Sequence, residues 1–202
     1  VDDIIDLAKL DANRLEVRRD GFSLRGEIKL LIRPLRIMAK AKDLPLEVKI
    51  EKEVVDYRTG DRRRLRQVLH NLLGNAIKYT SVGRVLLEVL SDSEELLRFD
   101  ISDTGIGISE NNLSNIFDPH FRVDNSLSLG SGLGLGACQR LAEAQSGHLE
   151  VKSTMTKGSC FSFVVPLPQA EEDGPGTAER GRQSPAIFRA LRILLAEDNV
   201  LI

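Results

Sequence analysis

Gln67, Asn71, Asn75 and Lys78 recur at spacings of four, four and three residues, so on a helix they share one face. An exposed helix face is ordinarily filled with Glu, Lys and Arg. Two asparagines one turn apart are poorer helix formers and need another reason to be there. Their amide oxygens are neutral hard ligands, suited to a Mg²⁺ ion that already carries phosphate oxygens and water. Lys78 on the same face can balance phosphate charge. For this helix in isolation, a plain solvated polar face is the competing explanation.

A second block runs Leu97-Arg98-Phe99-Asp100-Ile101-Ser102-Asp103-Thr104-Gly105-Ile106-Gly107-Ile108. A strand leads into a carboxylate and then into two glycines. Glycine lets backbone approach a flat ligand, and an acceptor-only carboxylate can take the exocyclic amino proton of adenine. Alone, the same residues are an ordinary turn after a strand. The third block, Gly130-Ser131-Gly132-Leu133-Gly134-Leu135-Gly136, opens into a helix. Its free amides and the helix dipole favour phosphate. It is not the dinucleotide fingerprint, whose glycine spacing and preceding strand are missing, nor a phosphate loop ending in Gly-Lys-Ser/Thr. A pliant surface loop is the alternative, against which each glycine inside the helix, Gly134 and Gly136, costs roughly 1 kcal/mol. Between these blocks, Phe117 and Phe121 stand four apart in a chain with seven Phe, two Tyr and no Trp. They can anchor the hinge of a lid or form a small satellite core. His70, His120 and His148 have no neighbouring Asp, Glu or Cys at ligand spacing and read as structural or surface residues.

The elements that must position these residues follow from periodicity. Phe22 to Ala41 reads as a helix interrupted at Pro34, and Leu46 to Glu51 alternates like a half-buried strand. Asp61 caps a helix through Tyr79 whose core face is Leu65, Val68, Leu69, Leu72, Leu73, Ala76 and Ile77. Gly83 ends the next turn, before strands at Val85–Leu90 and Leu96–Ile101. A short helix at Ser109–Ile116, a loop to Gly130 and a helix from Leu133 to about Ala144 come next. Strands at Leu149–Ser153 and Ser159–Val165, joined at Thr156-Lys157-Gly158, close the series, a mixed α and β class. At the start, Val1, Ile4, Ile5, Ala8, Ala12 and Leu15 form a helical stripe over residues 1–17. After Pro168, residues 169–188 are rich in Glu, Gly, Pro, Ala and Arg without periodicity and read as a flexible linker. Leu191 to Ala196, within residues 189–202, is a compact apolar strand ending in Glu197-Asp198.

With 202 residues, 42% hydrophobic and 29% charged, the chain can bury one good core and a fragment of another domain. A formal net charge of −2 argues against a nucleic-acid binder. Cys138 and Cys160 are too few and too far apart for a thiolate metal cage and suit a reducing compartment. No apolar run reaches the ~18 residues that span a bilayer, so no membrane contact is expected in this segment. The start, Val1-Asp2-Asp3, has no signal-peptide pattern, and a cytoplasmic location is expected.

The order of the blocks is more informative than any one of them. Asn71-x-x-x-Asn75-x-x-Lys78-Tyr79-Thr80, then Asp103-x-Gly105-x-Gly107, then Phe117-x-x-x-Phe121, then Gly130-x-Gly132-x-Gly134 resembles the N, G1, F and G2 boxes of sensor histidine kinases, over about residues 22–167. Residues 3–14 are similar to the end of that family's dimerisation and phosphoacceptor hairpin. Arg192 to Asn199 resembles the first strand and acidic pair of a receiver domain, and the layout is that of a hybrid kinase.

The resemblance implies a Bergerat-type ATP fold over residues 18–168, a two-layer α/β sandwich with a mixed sheet and helices on one face. It implies ATP and Mg²⁺ as ligands, Asp103 taking the adenine amino group and Gly105 and Gly107 shaping that pocket. Asn75 would bind Mg²⁺, with Asn71, Lys78 and Tyr79 around the phosphates and sugar. Gly130, Gly132, Leu133 and Gly134 would lie at the phosphates, under a lid that begins at Phe117 and Phe121. The reaction would move the γ-phosphoryl of ATP to a histidine on the hairpin domain and then to a receiver aspartate, in a homodimeric full-length protein. Asn71, Lys78 and Arg122 would be the catalytic group, Arg122 being the one basic residue of the lid. Gln67 falls where many relatives have Glu and is assigned no general-base role. Gly136-Ala137-Cys138 and Ser146-Gly147 depart from the family's Ala-Ile and Gly-Gly, a matter of packing. None of the three histidines stands where the phosphoacceptor should. The competing function is a degenerate kinase domain that binds nucleotide as a regulatory ligand.

Overall fold

In the computed structural model, residues 17–118 and 134–170 are described. In chain order their elements are β1 (Asp20–Ser23), α1 (Leu24–Lys40), β2 (Leu46–Ile50), β3 (Tyr57–Gly60), α2 (Arg62–Tyr79), β4 (Val85–Ser91), β5 (Leu96–Asp103), α3 (Glu110–Leu113), α4 (Gly134–Ala144), β6 (His148–Thr154) and β7 (Gly158–Pro166). Five strands make one sheet in the order β2-β4-β5-β7-β6, while β1 and β3 form a separate antiparallel ribbon. β2 runs parallel to β4 and the other three pairs are antiparallel, so the sheet is mixed.

Alternation divides the sheet into two faces. Leu87 pairs with Ile101, Val89 with Phe99, Phe99 with Phe163 and Ile101 with Phe161, and all are buried. The Phe99 and Phe163 rings stack with centroids 5.9 Å apart. The residues between them point the other way. There Arg98 Nε meets Asp100 Oδ1 at 2.8 Å and Lys49 Nζ meets Glu88 Oε1 at 3.6 Å. The apolar face packs in one core with Ile28, Leu31, Ile32 and Leu35 of α1, Leu65, Leu69, Leu72 and Leu73 of α2, and Leu141 and Ala142 of α4. The expected two-layer sandwich, helices on one face, is therefore the observed one. Each leucine fully buried in it contributes about 1.5–3 kcal/mol relative to exposure.

Local signals set the limits of α2. Asp61 Oδ1 accepts the backbone N–H groups of Arg63 at 3.1 Å and Arg64 at 3.0 Å, and Oδ2 accepts that of Arg18 at 3.0 Å. At the far end Lys42 Nζ donates to the carbonyls of Ile77 at 2.8 Å and Lys78 at 2.9 Å, a cation at the negative end of the helix dipole.

The structure differs from sequence expectation in several places, and the short helix expected over Ser109–Ile116 spans only Glu110–Leu113. Helix α1 passes through Pro34 unbroken: Pro34 is exposed, and Leu31, Ile32, Leu35 and Ala39 anchor the helix in the core on both sides of it. Phe22 belongs to β1, because Ser23 accepts the Gly26 N–H at 3.0 Å and caps α1 one residue later. Strand β5 runs two residues past Ile101, carried by the pairing of Asp103 with Val85 and Ser159. The β1–β3 ribbon has no signature in strands so short; inside β3 Arg58 is fully buried, its guanidinium donating to the carbonyls of Val55, Glu94 and Leu167. The expected opening helix (residues 1–16) and receiver strand fall outside the described residues, as do most of the lid and all but the start of the linker.

Candidate nucleotide site

Helix α2 presents Asn71, Asn75 and Lys78 on one face, each half-buried, with Tyr79 exposed at its end. Gln67, one turn earlier, is occupied by Arg64, whose guanidinium donates to Oε1 at 2.8 Å. Asn71 Nδ2 is buried and has no hydrogen-bond partner among the described residues. A buried amide donor left unmade costs about 1–3 kcal/mol, which sets this position apart from a solvated helix face. Lys78 Nζ lies 5.1 Å from the centre of the Tyr79 ring.

Asp103 ends β5 two residues after the fully buried Ile101, which by alternation aims it toward the helix layer. Its Oδ1 accepts the Gly105 N–H at 2.8 Å. Burial pushes the Asp103 carboxyl above the usual carboxylate range, against the opposing pull of the Gly105 and Ser159 N–H groups. Glycine is obligatory at two points of the following loop. A Cβ at Gly105 would strike the Tyr79 carbonyl and stand 2.9 Å from both Asp103 Oδ1 and Thr80 Oγ1. Gly107 has φ +67° and would drive a Cβ into the Thr154 carbonyl.

The loop is strapped on both sides. Ile106 N–H donates to the Tyr79 carbonyl at 3.3 Å, Thr156 N–H to the Ile106 carbonyl at 2.8 Å, and Ile108 N–H to Ser153 Oγ at 2.8 Å. Tertiary structure thus brings the end of the asparagine helix, the Asp-x-Gly-x-Gly loop and the β6–β7 hairpin to one place. Phe117 is half-buried against the core beside Ile116, and Gly134 opens α4 with open space where a Cβ would stand. Phe121, Arg122, Gly130, Gly132, Leu133 and His120 lie outside the described residues.

Sequence reasoning assigns no role to Thr80, Ser153 or Lys42, all of which border the site. Ser153 and Ser159 stand at strand positions where the same face otherwise carries Val151 and Phe161, and their hydroxyls are 3.0 Å apart. Knowledge of strand pairing would expose that signal. His148 does have an acidic partner, Glu150 at 3.4 Å, since a spacing of two puts both on one face of β6. Both are more than half exposed and on the opposite side of the sheet from Val151, so the surface reading of His148 stands. No helix among the described residues is long and apolar enough to cross a membrane.

This arrangement has close counterparts. The sequence profile described as histidine kinase-, DNA gyrase B-, and HSP90-like ATPase matches residues 60–169. The chain belongs to that family. Its relatives place it with the histidine kinase catalytic domains. It is 35% identical over 82% of its length to hybrid signal transduction histidine kinase B of Dictyostelium discoideum. It is 37% identical over 86% of its length to the sensor protein GacS of Pseudomonas syringae pv. syringae. It spans 9% and 20% of those two relatives' lengths. Among solved structures, full-length ShkA in complex with AMPPNP superposes with a TM-score of 0.76 at 28% identity, over 84% of this chain and 35% of that one.

Proposed function

We propose that this chain is the ATP-binding catalytic domain of a histidine kinase, donating the γ-phosphoryl of ATP to a histidine on a separate hairpin domain, from which a receiver aspartate takes it. The convergence of Asp103, Gly105 and the Tyr79 carbonyl at the end of the asparagine helix carries this reading. Asp103 accepts the adenine amino proton, and the side-chain-free surfaces of Gly105 and Gly107 let the base lie against backbone.

The donor set fits ATP with Mg²⁺. Asn71 offers a buried N–H without a partner, and Asn75 one turn on offers a neutral oxygen. No group of three His, Cys, Asp or Glu gathers among the described residues, which suits an ion that arrives with phosphate oxygens and takes Asn75 as its protein ligand. Mg²⁺, when bound, neutralises phosphate charge. Asn71, Lys78 and Tyr79 orient the phosphates and sugar, with Gly130, Gly132, Leu133 and Gly134 on the other side and Phe117 and Phe121 at the hinge of the lid. Arg122 is the lid's cation. Catalysis is positioning and charge stabilisation, as in phosphoryl transfer generally. In the whole protein the partners are the hairpin of the same kinase, in a cytoplasmic homodimer, and a receiver domain.

The test is to mix this chain with ATP, Mg²⁺ and a hairpin domain carrying the acceptor histidine. Acid-labile phosphohistidine should form, and Asn75→Asp should abolish it while circular dichroism stays unchanged. Tight nucleotide binding with no phosphohistidine on a competent hairpin would overturn the enzyme and leave a regulatory nucleotide module.

A further inference from the structure

We propose that Thr80 is a positioning residue for purine recognition, its hydroxyl, not bonded to Asp103 in this structure, turning to donate to the Asp103 carboxylate when a base is bound beside the space that Gly105 leaves without a side chain. The proposal rests on the nucleotide reading of Asp103 given above. Thr80 is fully buried, and its Oγ1 has no hydrogen-bond partner among the described residues. A buried hydroxyl is normally bonded, and leaving it unmade costs on the order of 1–3 kcal/mol. Its place is held by other means. Thr80 caps α2 in an extended conformation, its N–H donating to the Ala76 carbonyl at 3.2 Å and its carbonyl accepting from Lys42 Nζ at 3.4 Å. The backbone is pinned and the hydroxyl is free to turn.

What it borders is given by Gly105. The position of a Cβ there would be 2.9 Å from Thr80 Oγ1 and 2.9 Å from Asp103 Oδ1, so the two oxygens border the same small space. Alanine at 105 would fill it. An ionised carboxylate has about four acceptor sites, and the N–H groups of Gly105 and Ser159 engage only part of them. A third donor stabilises the anion against its burial and fixes which lone pair remains for an amino group of the base. Among the described residues nothing else nearby does this. The charged and titratable residues of the flanking segments are Arg84, just before β4, whose N–H is bonded to Thr104 Oγ1, Lys157 in the β6–β7 turn, and Lys78 and Tyr79 at the end of α2. β7 supplies Ser159, and on β5 itself Asp100 faces away and is tied to Arg98. Burial pushes the Asp103 carboxyl up, and the Gly105 and Ser159 amides pull it down.

The experiment measures ADP affinity by calorimetry from acid to neutral pH for the wild type, Thr80→Val, Thr80→Ser, Asp103→Asn and the Thr80→Val/Asp103→Asn double variant. Thr80→Val should weaken binding about tenfold, the scale of one hydrogen bond to a charged group. It should also raise the pH at which binding is half lost. Thr80→Ser should restore both, and Thr80→Val should add nothing in the Asp103→Asn background. Loss of binding in Asp103→Asn with unchanged affinity and pH midpoint in Thr80→Val overturns the role of Thr80 alone. Wild-type binding by Asp103→Asn overturns the nucleotide reading itself. If Thr80→Val fails to fold, Thr80→Ser against Thr80→Ala carries the same comparison, and equal affinities and midpoints for that pair overturn the proposal.

Discussion

Helix α1 carries Lys29, Arg33, Arg36 and Lys40 along an outward row, all exposed and without ion-pair partners among the described residues, whereas the polar row of α2, Gln67, Asn71, Asn75 and Lys78, is half-buried. The two helices have nearly the same length, 17 and 18 residues, and contribute to the same core. Long cations reach water from almost anywhere, so the α1 row is solvated and requires nothing from the fold. Short amides do not, and Asn71 Nδ2 is buried without a hydrogen-bond partner among the described residues. The physical difference between a solvated face and a site is thus the reach of the side chain set against the shade of its surroundings.

Core truncation should affect both helices alike. Leu35→Ala in α1 and Leu72→Ala in α2 should each lower the unfolding free energy by about 2–5 kcal/mol in urea titrations, since both are almost fully buried. A loss of a few tenths at either would break the picture of one core shared by two helices. The outward rows should then separate. Asn71→Ala should weaken nucleotide binding about tenfold while leaving the thermal midpoint unchanged or raised, because it removes an amide that the fold leaves unpaired.

Asp103 adds a pH dependence. Its folded-state pKa is raised by burial, so between the unfolded and folded values the native state binds more protons than the unfolded one. Stability contributed at this residue therefore falls as pH rises through that window and is level above it. Asp103→Asn should remove this slope and be more stable than the wild type at neutral pH, while nucleotide binding is lost. A slope unchanged in the variant would assign the titration elsewhere. The smallest effect belongs to α1: Arg33→Ala should change stability by no more than ~0.5 kcal/mol and leave nucleotide affinity at its wild-type value. A measurable loss of affinity there would end the contrast between the rows.

Much of the fold was legible because it is written locally. Asp61 before an apolar period of 3.6 marks the start of α2, and alternation from Leu46, Val85, Leu96, Leu149 and Ser159 marks strands whose ends the structure moves by only a residue or two. Pro34 misled because its effect depends on what anchors the helix around it, and the core does so on both sides. The β1–β3 ribbon escaped because its most buried residue is Arg58, whose burial is made tolerable by carbonyls from Val55, Glu94 and Leu167, two of them distant in sequence.

The site divides the same way. Residue types and spacing alone determined that α2 carries a polar row unlike a solvated one and that a carboxylate precedes Gly105 and Gly107. Only tertiary structure decided that these meet. The order β4-β5-β7-β6 sets Asp103 beside Ser159, and the bonds from Ile106 and Gly105 bring the loop under the carbonyl of Tyr79 and against the hydroxyl of Thr80. Periodicity and capping act over a turn or a few residues, whereas that convergence joins residues near 80, 105 and 155, and nothing short of strand pairing carries information across such distances.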